Sequence, residues 1–122
     1  MNQKTRYNDT ELAEFDSLIE KKIAKATDEL NYYQAQIQEL AGTDATKLKG
    51  LEDATGAQES ERLQSMAARQ NKLIQHLENA RLRIKKKIYG ICRDSGDLIS
   101  KERLKAVPHA TLSIKAKQKK IR

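Results

Sequence analysis

The stretch 12–40, LAEFDSLIEKKIAKATDELNYYQAQIQEL, decides the fold. Its apolar positions are Leu12, Phe15, Ile19, Ile23, Ala26, Leu30, Tyr33, Ile37 and Leu40, spaced 3, 4, 4, 3, 4, 3, 4 and 3 residues apart. Such alternation puts them on one narrow face of an α-helix, the seam that a partner helix covers in a coiled coil. No Gly or Pro interrupts the run. Upstream, Asn8 can cap the helix while Glu11 reaches back to close a capping box. Downstream, Gly42 in Ala41-Gly42-Thr43-Asp44 can take the left-handed conformation that stops a helix.

A second seam follows in Leu63, Met66, Gln70, Leu73, Leu77, Ala80 and Ile84, continuing to Lys87 or Ile88, with spacings of 3, 4, 3, 4, 3 and 4 through Ile84. Two helices of about 30 residues, each roughly 45 Å long, would match in length. The short connection between them predicts that they fold back on one another as an antiparallel coiled-coil hairpin. Pairing Leu40 with Leu63 and Phe15 with Ile88 keeps both seams covered. Gln70 is polar within its seam, which costs stability and limits register slips. Dimerisation of two long helices with a second chain is the alternative that the pattern leaves open.

The predicted organisation is all-α: an arm over 1–7, a coiled-coil hairpin over 8–88 with its tip at 41–58, a compact segment over 89–116 and a basic tail over 117–122. In the compact segment Ser100 can cap a short helix, Pro108 would stop it, and Thr111 can cap a last one. Ile91, Leu98, Ile99, Leu104, Val107, Leu112 and Ile114 could form its apolar body.

Composition agrees with narrow helical stripes and a modest core. Of 122 residues 38% are apolar and 34% charged, with no Trp, one Phe and one Pro. The lone Cys92 excludes an intramolecular disulfide and a multi-cysteine metal site. The polar start lacks a signal-peptide core and no stretch is apolar enough to span a membrane, so the expected location is the cytoplasm.

Charge is the main functional clue. The net charge of +7 favours an acidic partner without choosing between nucleic acid and protein. Residues 101–122 hold eight Lys/Arg against Glu102 alone, whereas residues 1–43 hold five against eight acids. Arg81, Arg83, Lys85, Lys86 and Lys87 cluster where the hairpin meets the compact segment and are candidate partner contacts. At the tip, Glu52 and Asp53 beside the small Ala54 are either solvent-facing or able to approach a metal or basic loops in a partner's cavity. Neither His76 nor His109 has an acid and a nucleophile near it in sequence, so catalysis finds no support. Cys92 reads as a small semi-buried residue or, alternatively, a reactive thiol.

The frame Tyr89-Gly90-x-Cys92-x-x-Ser95-Gly96-x-x-Ile99, followed by Arg103-Leu104-x-Ala106-x-Pro108-x-Ala110-x-x-Ser113-x-x-Ala116, resembles the zinc-finger end of the TraR/DksA family of bacterial transcription regulators, in particular its Bacteroidetes-type branch. The resemblance implies a non-enzymatic RNA polymerase-binding regulator. Its coiled coil would enter the secondary channel and modulate initiation, with promoter DNA engaged only indirectly, and the alarmone ppGpp is a possible cofactor of the complex. It also implies that Glu52 is the main tip acid and Ala54 the small tip residue, while Lys49 stands where the family has an earlier aspartate. The four metal-ligand positions fall on Cys92, Ser95, Ser113 and Ala116. Structural zinc needs four donors, so no metal is expected and the segment would rely on packing and hydrogen bonds, with Arg103 bonding to backbone carbonyls. The free chain is expected to be a monomer. The competing functional readings are a structural coiled-coil adaptor and a direct DNA-binding protein, the latter resting on charge alone.

Overall fold

The computed structural model describes residues 5–42 and 54–121. Within them the fold is all-α: α1 (Asp9–Gly42), α2 (Ala54–Lys85), α3 (Lys101–Ala106) and α4 (Ile114–Ile121). The two long helices, of 34 and 32 residues, pack closely in the manner of a coiled coil. By packing, the chain divides into a unit of Met1–Ile23 with His76–Arg122 and a unit of Ala24–Gln75. No helix among the described residues is long and apolar enough to cross a membrane.

The start of α1 follows from its capping residues. The Asn8 side chain accepts from the Glu11 N–H at 2.8 Å, and Glu11 Oε1 accepts from the Asn8 N–H at 2.9 Å. Two donors that the helix cannot satisfy internally are thereby paired. Tyr7 immediately precedes this cap, in the position of a hydrophobic staple. It is only 4% exposed, so Tyr7 belongs to the core and not to the loose arm expected over 1–7.

In the unit of Ala24–Gln75, Ala26, Leu63 and Ala67 are buried, and Leu30, Tyr33, Ile37, Leu40, Met66 and Leu73 are half-buried. These are the predicted seam positions together with Ala67, which extends the stripe next to Met66. Gln70 also lies in the stripe, and its buried Oε1 has no hydrogen-bond partner among the described residues. The helix α2 begins at Ala54, so residues 54–58, expected in the tip, are helical.

In the other unit, Leu12, Phe15, Ile19, Leu77 and Ala80 carry the same two stripes, with Ile19 and Leu77 fully enclosed. As the chain advances from Arg81 on α2 to Lys87 just past its end, the acidic partner on α1 steps back from Asp16 to Asp9, so the two helices run antiparallel here. These ion pairs lie at the surface, where they set register more than stability.

The end of α2 departs from the expected seam. Lys87 takes a left-handed conformation at φ 63°, donating to the Ile84 carbonyl, while the Ile88 N–H reaches back to Arg83. This is a Schellman closure with lysine where glycine is usual, at a backbone cost of about 1–2 kcal/mol. It turns Ile88 outward, leaving it 48% exposed. Tyr89 takes the expected place of Ile88 against Phe15, with ring centroids 5.3 Å apart. Tyr7 meets Phe15 edge-on at 5.6 Å. Such aromatic pairs add about 0.5–1.5 kcal/mol beyond simple burial.

Gly90 follows, at φ +81°, and a Cβ there would lie 2.6 Å from the Tyr7 ring. Beyond it, an isolated antiparallel bridge joins Ile91 to Leu98. Ser100 caps α3 by accepting from the Arg103 N–H. Ile99 and Leu104 are fully buried, whereas Ile114, expected in the apolar body, is 51% exposed. Tyr7 donates its hydroxyl to the Ile99 carbonyl, and Tyr89 donates to Pro108 at 2.7 Å. Burial pushes both phenols above their usual range, so they remain protonated donors.

His109 stacks on His76, with ring centroids 5.5 Å apart, while its carbonyl accepts from Arg83 at 3.4 Å. His109 Nδ1 is buried without a partner among the described residues. Burial foremost, then the neighbouring His76 and Arg83, hold the imidazole below its usual value of 6.5.

These two unpartnered atoms give opposite experimental signatures. Gln70→Leu removes a buried orphan acceptor and should stabilise the fold by about 1–2 kcal/mol in chemical denaturation. A destabilised variant would show that Gln70 is satisfied in solution. For His109 the unfolded chain binds the proton more readily than the folded one. Its contribution to stability is therefore complete above pH 6.5 and lost as pH falls through the lower folded value. Denaturation midpoints should fall on acidification below neutrality, and His109→Gln should flatten that slope. Equal slopes in the two proteins would refute the assignment.

Candidate functional site

The compact segment brings three of the four positions assigned by resemblance to metal ligation onto one sulfur. Cys92 is 1% exposed and lies just past the Ile91–Leu98 bridge, with its N–H donating to the Asp97 carbonyl at 2.7 Å. Its Sγ accepts from the Ser95 N–H at 3.5 Å and from the Ser113 N–H at 3.3 Å. Burial pushes the Cys92 thiol up, but hydrogen bonds from the Ser95 side chain and from the Ser113, Ser95 and Asp94 backbones outweigh it and bring the group down to about 6.

The serines are also engaged. Ser95 Oγ accepts from the Asp97 N–H at 3.3 Å. Ser113 Oγ accepts from the Ala116 N–H at 3.1 Å, and the Ser113 carbonyl accepts the first helical bond from Lys117. Ser113, and not the expected Thr111, is therefore the N-cap of α4. The Thr111 carbonyl instead accepts from the Arg93 N–H at 2.8 Å, tying the last loop to the turn that carries Cys92. Arg103 Nε donates to the Leu112 carbonyl at 2.9 Å, the backbone bond expected of it. Ala116 is 4% exposed and presents a methyl group.

This donor set does not fit zinc. A structural site needs four N, S or O donors in tetrahedral array. Here one thiol, two hydroxyls with other hydrogen bonds to make and a methyl group occupy the positions. Among the described residues no group of three or more His, Cys, Asp or Glu is placed to hold a metal ion. The neighbouring cleft, of about 200 Å³, is lined by Asp94, Ser95, Asp97, Ser113, Lys115, Ala116 and Lys119 and adds only two carboxylates to that set.

The basic cluster is divided between internal and outward roles. Arg81 bonds Asp16 at 3.0 Å and lies 3.6 Å from Glu20. Lys87 bonds Asp9 at 2.7 Å, and the half-buried Arg83 donates to the His109 carbonyl. Lys85 and Lys86 are exposed. Sequence reading missed the bond of Lys101 to the buried Glu11 at 2.7 Å, the burial of Tyr7 and the histidine stack. Of these, Tyr7 had a local signal, its place before the capping box; the others join residues far apart in the chain. Ala54 opens α2. Lys49, Glu52 and Asp53 lie outside the described residues.

Two long, closely packed helices followed by a zinc-finger-like segment define a class of protein. Residues 87–122 match the family described as the prokaryotic dksA/traR C4-type zinc finger. The solved structure of transcription factor DksA2 from Pseudomonas aeruginosa shares the fold, with a TM-score of 0.80 and 22% sequence identity, covering 91% of this chain and 83% of that one. A search of curated proteins found no match. The C-terminal segment is thus similar to that finger family and the fold to that of the solved factor, while the four finger positions of this chain, Cys92, Ser95, Ser113 and Ala116, form a degenerate ligand set.

The donor chemistry has a direct readout. Protein purified after chelation should hold less than about one tenth of a zinc per molecule and keep its helical signal, because three of the four sulfur ligands of a structural site are missing. Stoichiometric zinc surviving chelation, or cooperative unfolding when zinc is withdrawn, would contradict the fit.

Proposed function

We propose that the chain is a transcription regulator that binds RNA polymerase, inserting its long helix pair into the secondary channel and modulating initiation. The observation that carries this reading is the dksA/traR-type finger match over 87–122 on a chain whose fold is that of a solved transcription factor. A coiled-coil pair supplies the narrow, stiff probe that a channel admits, and its width is set by seam packing and not by a globular core. Promoter DNA would be affected through the polymerase, and ppGpp is a candidate ligand of the assembled complex.

In this reading attachment and action are separate. The helix pair and the exposed Lys85 and Lys86 contribute area and charge complementarity. Glu52, Asp53 and Ala54 contribute little area and act at the polymerase active centre, with Ala54 small enough to permit close approach. Lys49 opposes the acids in charge.

The test is competition binding to the host polymerase, run beside a promoter-complex lifetime assay on the same variants. Glu52→Ala with Asp53→Ala should keep binding within about tenfold, a limit of ~1.4 kcal/mol, while largely abolishing the effect on initiation. Ala54→Trp should behave likewise, and Lys49→Asp should strengthen the effect. A double alanine variant that regulates like the parent removes the tip assignment. A parent chain that cannot compete for the secondary channel removes the polymerase reading and favours an adaptor role.

A further inference from the structure

In a zinc finger, one ion joins two loops that share little apolar surface, and its binding contributes folding free energy. The same two loops meet in this chain without the ligand set. The first runs from the Ile91–Leu98 bridge through Cys92 and Ser95, and the second leads through Ser113 into α4. Between them stands a single buried sulfur, which accepts one backbone N–H from each loop.

We propose that Cys92 Sγ has taken over the metal's structural work, so that the segment closes around a sulfur acceptor and the other three former ligand positions have each acquired a replacement task. Ser95 gives its N–H to that sulfur and uses its hydroxyl to hold the Asp97 N–H, which tightens the first turn. Ser113 gives its N–H to the same sulfur and its hydroxyl to the α4 N-terminus, which a cysteine ligating metal could not cap in this way. Ala116 donates its N–H to the Ser113 cap, while its methyl group fills buried space beside the sulfur-bonded loop. Cross-bracing comes from the Arg93 N–H to the Thr111 carbonyl, which links the same two loops, and from Arg103 on α3 to the Leu112 carbonyl, which ties α3 to the second loop; neither uses a ligand position.

The chemistry explains why one cysteine remains where three have gone. Sulfur is large enough to reach N–H groups in both loops at 3.3–3.5 Å from a buried position. A serine oxygen at the same site would sit closer to its own Cβ and fall short of one loop or both. At the other positions a small hydroxyl or methyl group suffices, because their partners lie within three residues. Cys92 is in this reading a positioning residue and neither a residual ligand nor a reactive centre.

Amide hydrogen exchange followed by NMR on the full chain, in chelator, tests the proposal. In the parent protein the Ser95, Ser113 and Ala116 amides should be protected, and added zinc should leave them unchanged. Cys92→Ala should speed exchange at Ser95 and Ser113 at least tenfold while the Ile99 amide, bonded to the Gly90 carbonyl, stays protected. Cys92→Ser should resemble Cys92→Ala at one or both of these amides. Ser113→Ala, which leaves the sulfur in place, should expose the Ala116 amide alone. Unchanged protection at Ser95 and Ser113 in Cys92→Ala, or protection in the parent that appears only with zinc, overturns the proposal. If Cys92→Ala unfolds the segment, the Ser113→Ala pattern decides: an unaltered Ala116 amide refutes the replacement scheme.

Discussion

The contact of the Tyr7 ring with Gly90 is the constraint on which the larger, finger-bearing unit depends. Residue 90 has to be glycine on two independent grounds, a φ of +81° and a ring that would stand 2.6 Å from any Cβ. The backbone can therefore turn away from the end of α2 directly beneath the N-terminal aromatic residue. Once it does so, the Gly90 carbonyl accepts from Ile99 and the Ile99 carbonyl accepts from the Tyr7 hydroxyl. The N-terminal Tyr7 and the distant stretch from Gly90 to Ile99 thus share one small, buried hydrogen-bonded junction. Phe15 and Tyr89 close it from the helix side, so a protein with one Phe and no Trp still assembles an aromatic centre.

Polar groups in this unit are committed mainly to holding the segment in place. Glu11 completes the capping box of α1 and binds Lys101, so the same carboxylate serves a helix start and the first residue of α3. Arg83 is half-buried against the His109 carbonyl, and burial lowers the cost of losing its proton without removing its charge at neutral pH. This use of cations inside the unit leaves fewer of them for a partner than the net charge suggests. Lys85 and Lys86 keep their exposure because α2 ends at Lys85 and the Schellman turn that begins there directs the following residues elsewhere.

Loss of a metal from a small domain ordinarily removes several kcal/mol of folding free energy at a stroke. Here the loss coincides with features that restrict the same backbone: capped α3 and α4, paired loop amides and two phenols bonded to carbonyls. None is large alone, since a net hydrogen bond contributes roughly 0.5–1.5 kcal/mol. Their placement matters more than their sum. They connect the two loops that the ion would have joined, and they connect both to the helix base.

The two seams, the Asn8–Glu11 cap and the short α3 with its Ser100 cap were all legible in the sequence. Each rests on spacing within a few residues or on side-chain chemistry that holds in any environment. The family frame around Cys92 was legible for the same reason, since its Gly, Ser and Cys positions are local requirements of tight turns. What only the tertiary structure decided involves partners far apart in the chain. Tyr7 became core because Gly90 leaves room for its ring. Ile88 gave up its place to Tyr89 because Lys87 turns left-handed, which no local rule favours for lysine. Ser113 displaced Thr111 as the cap because its own N–H is already held by Cys92, which orients the chain entering α4. Arg81 and Lys87 went to acids on α1 because the antiparallel register set them opposite one another. Periodicity specifies which face a helix buries, but the identity of the neighbour across that face emerges only when register, turn and burial are satisfied together.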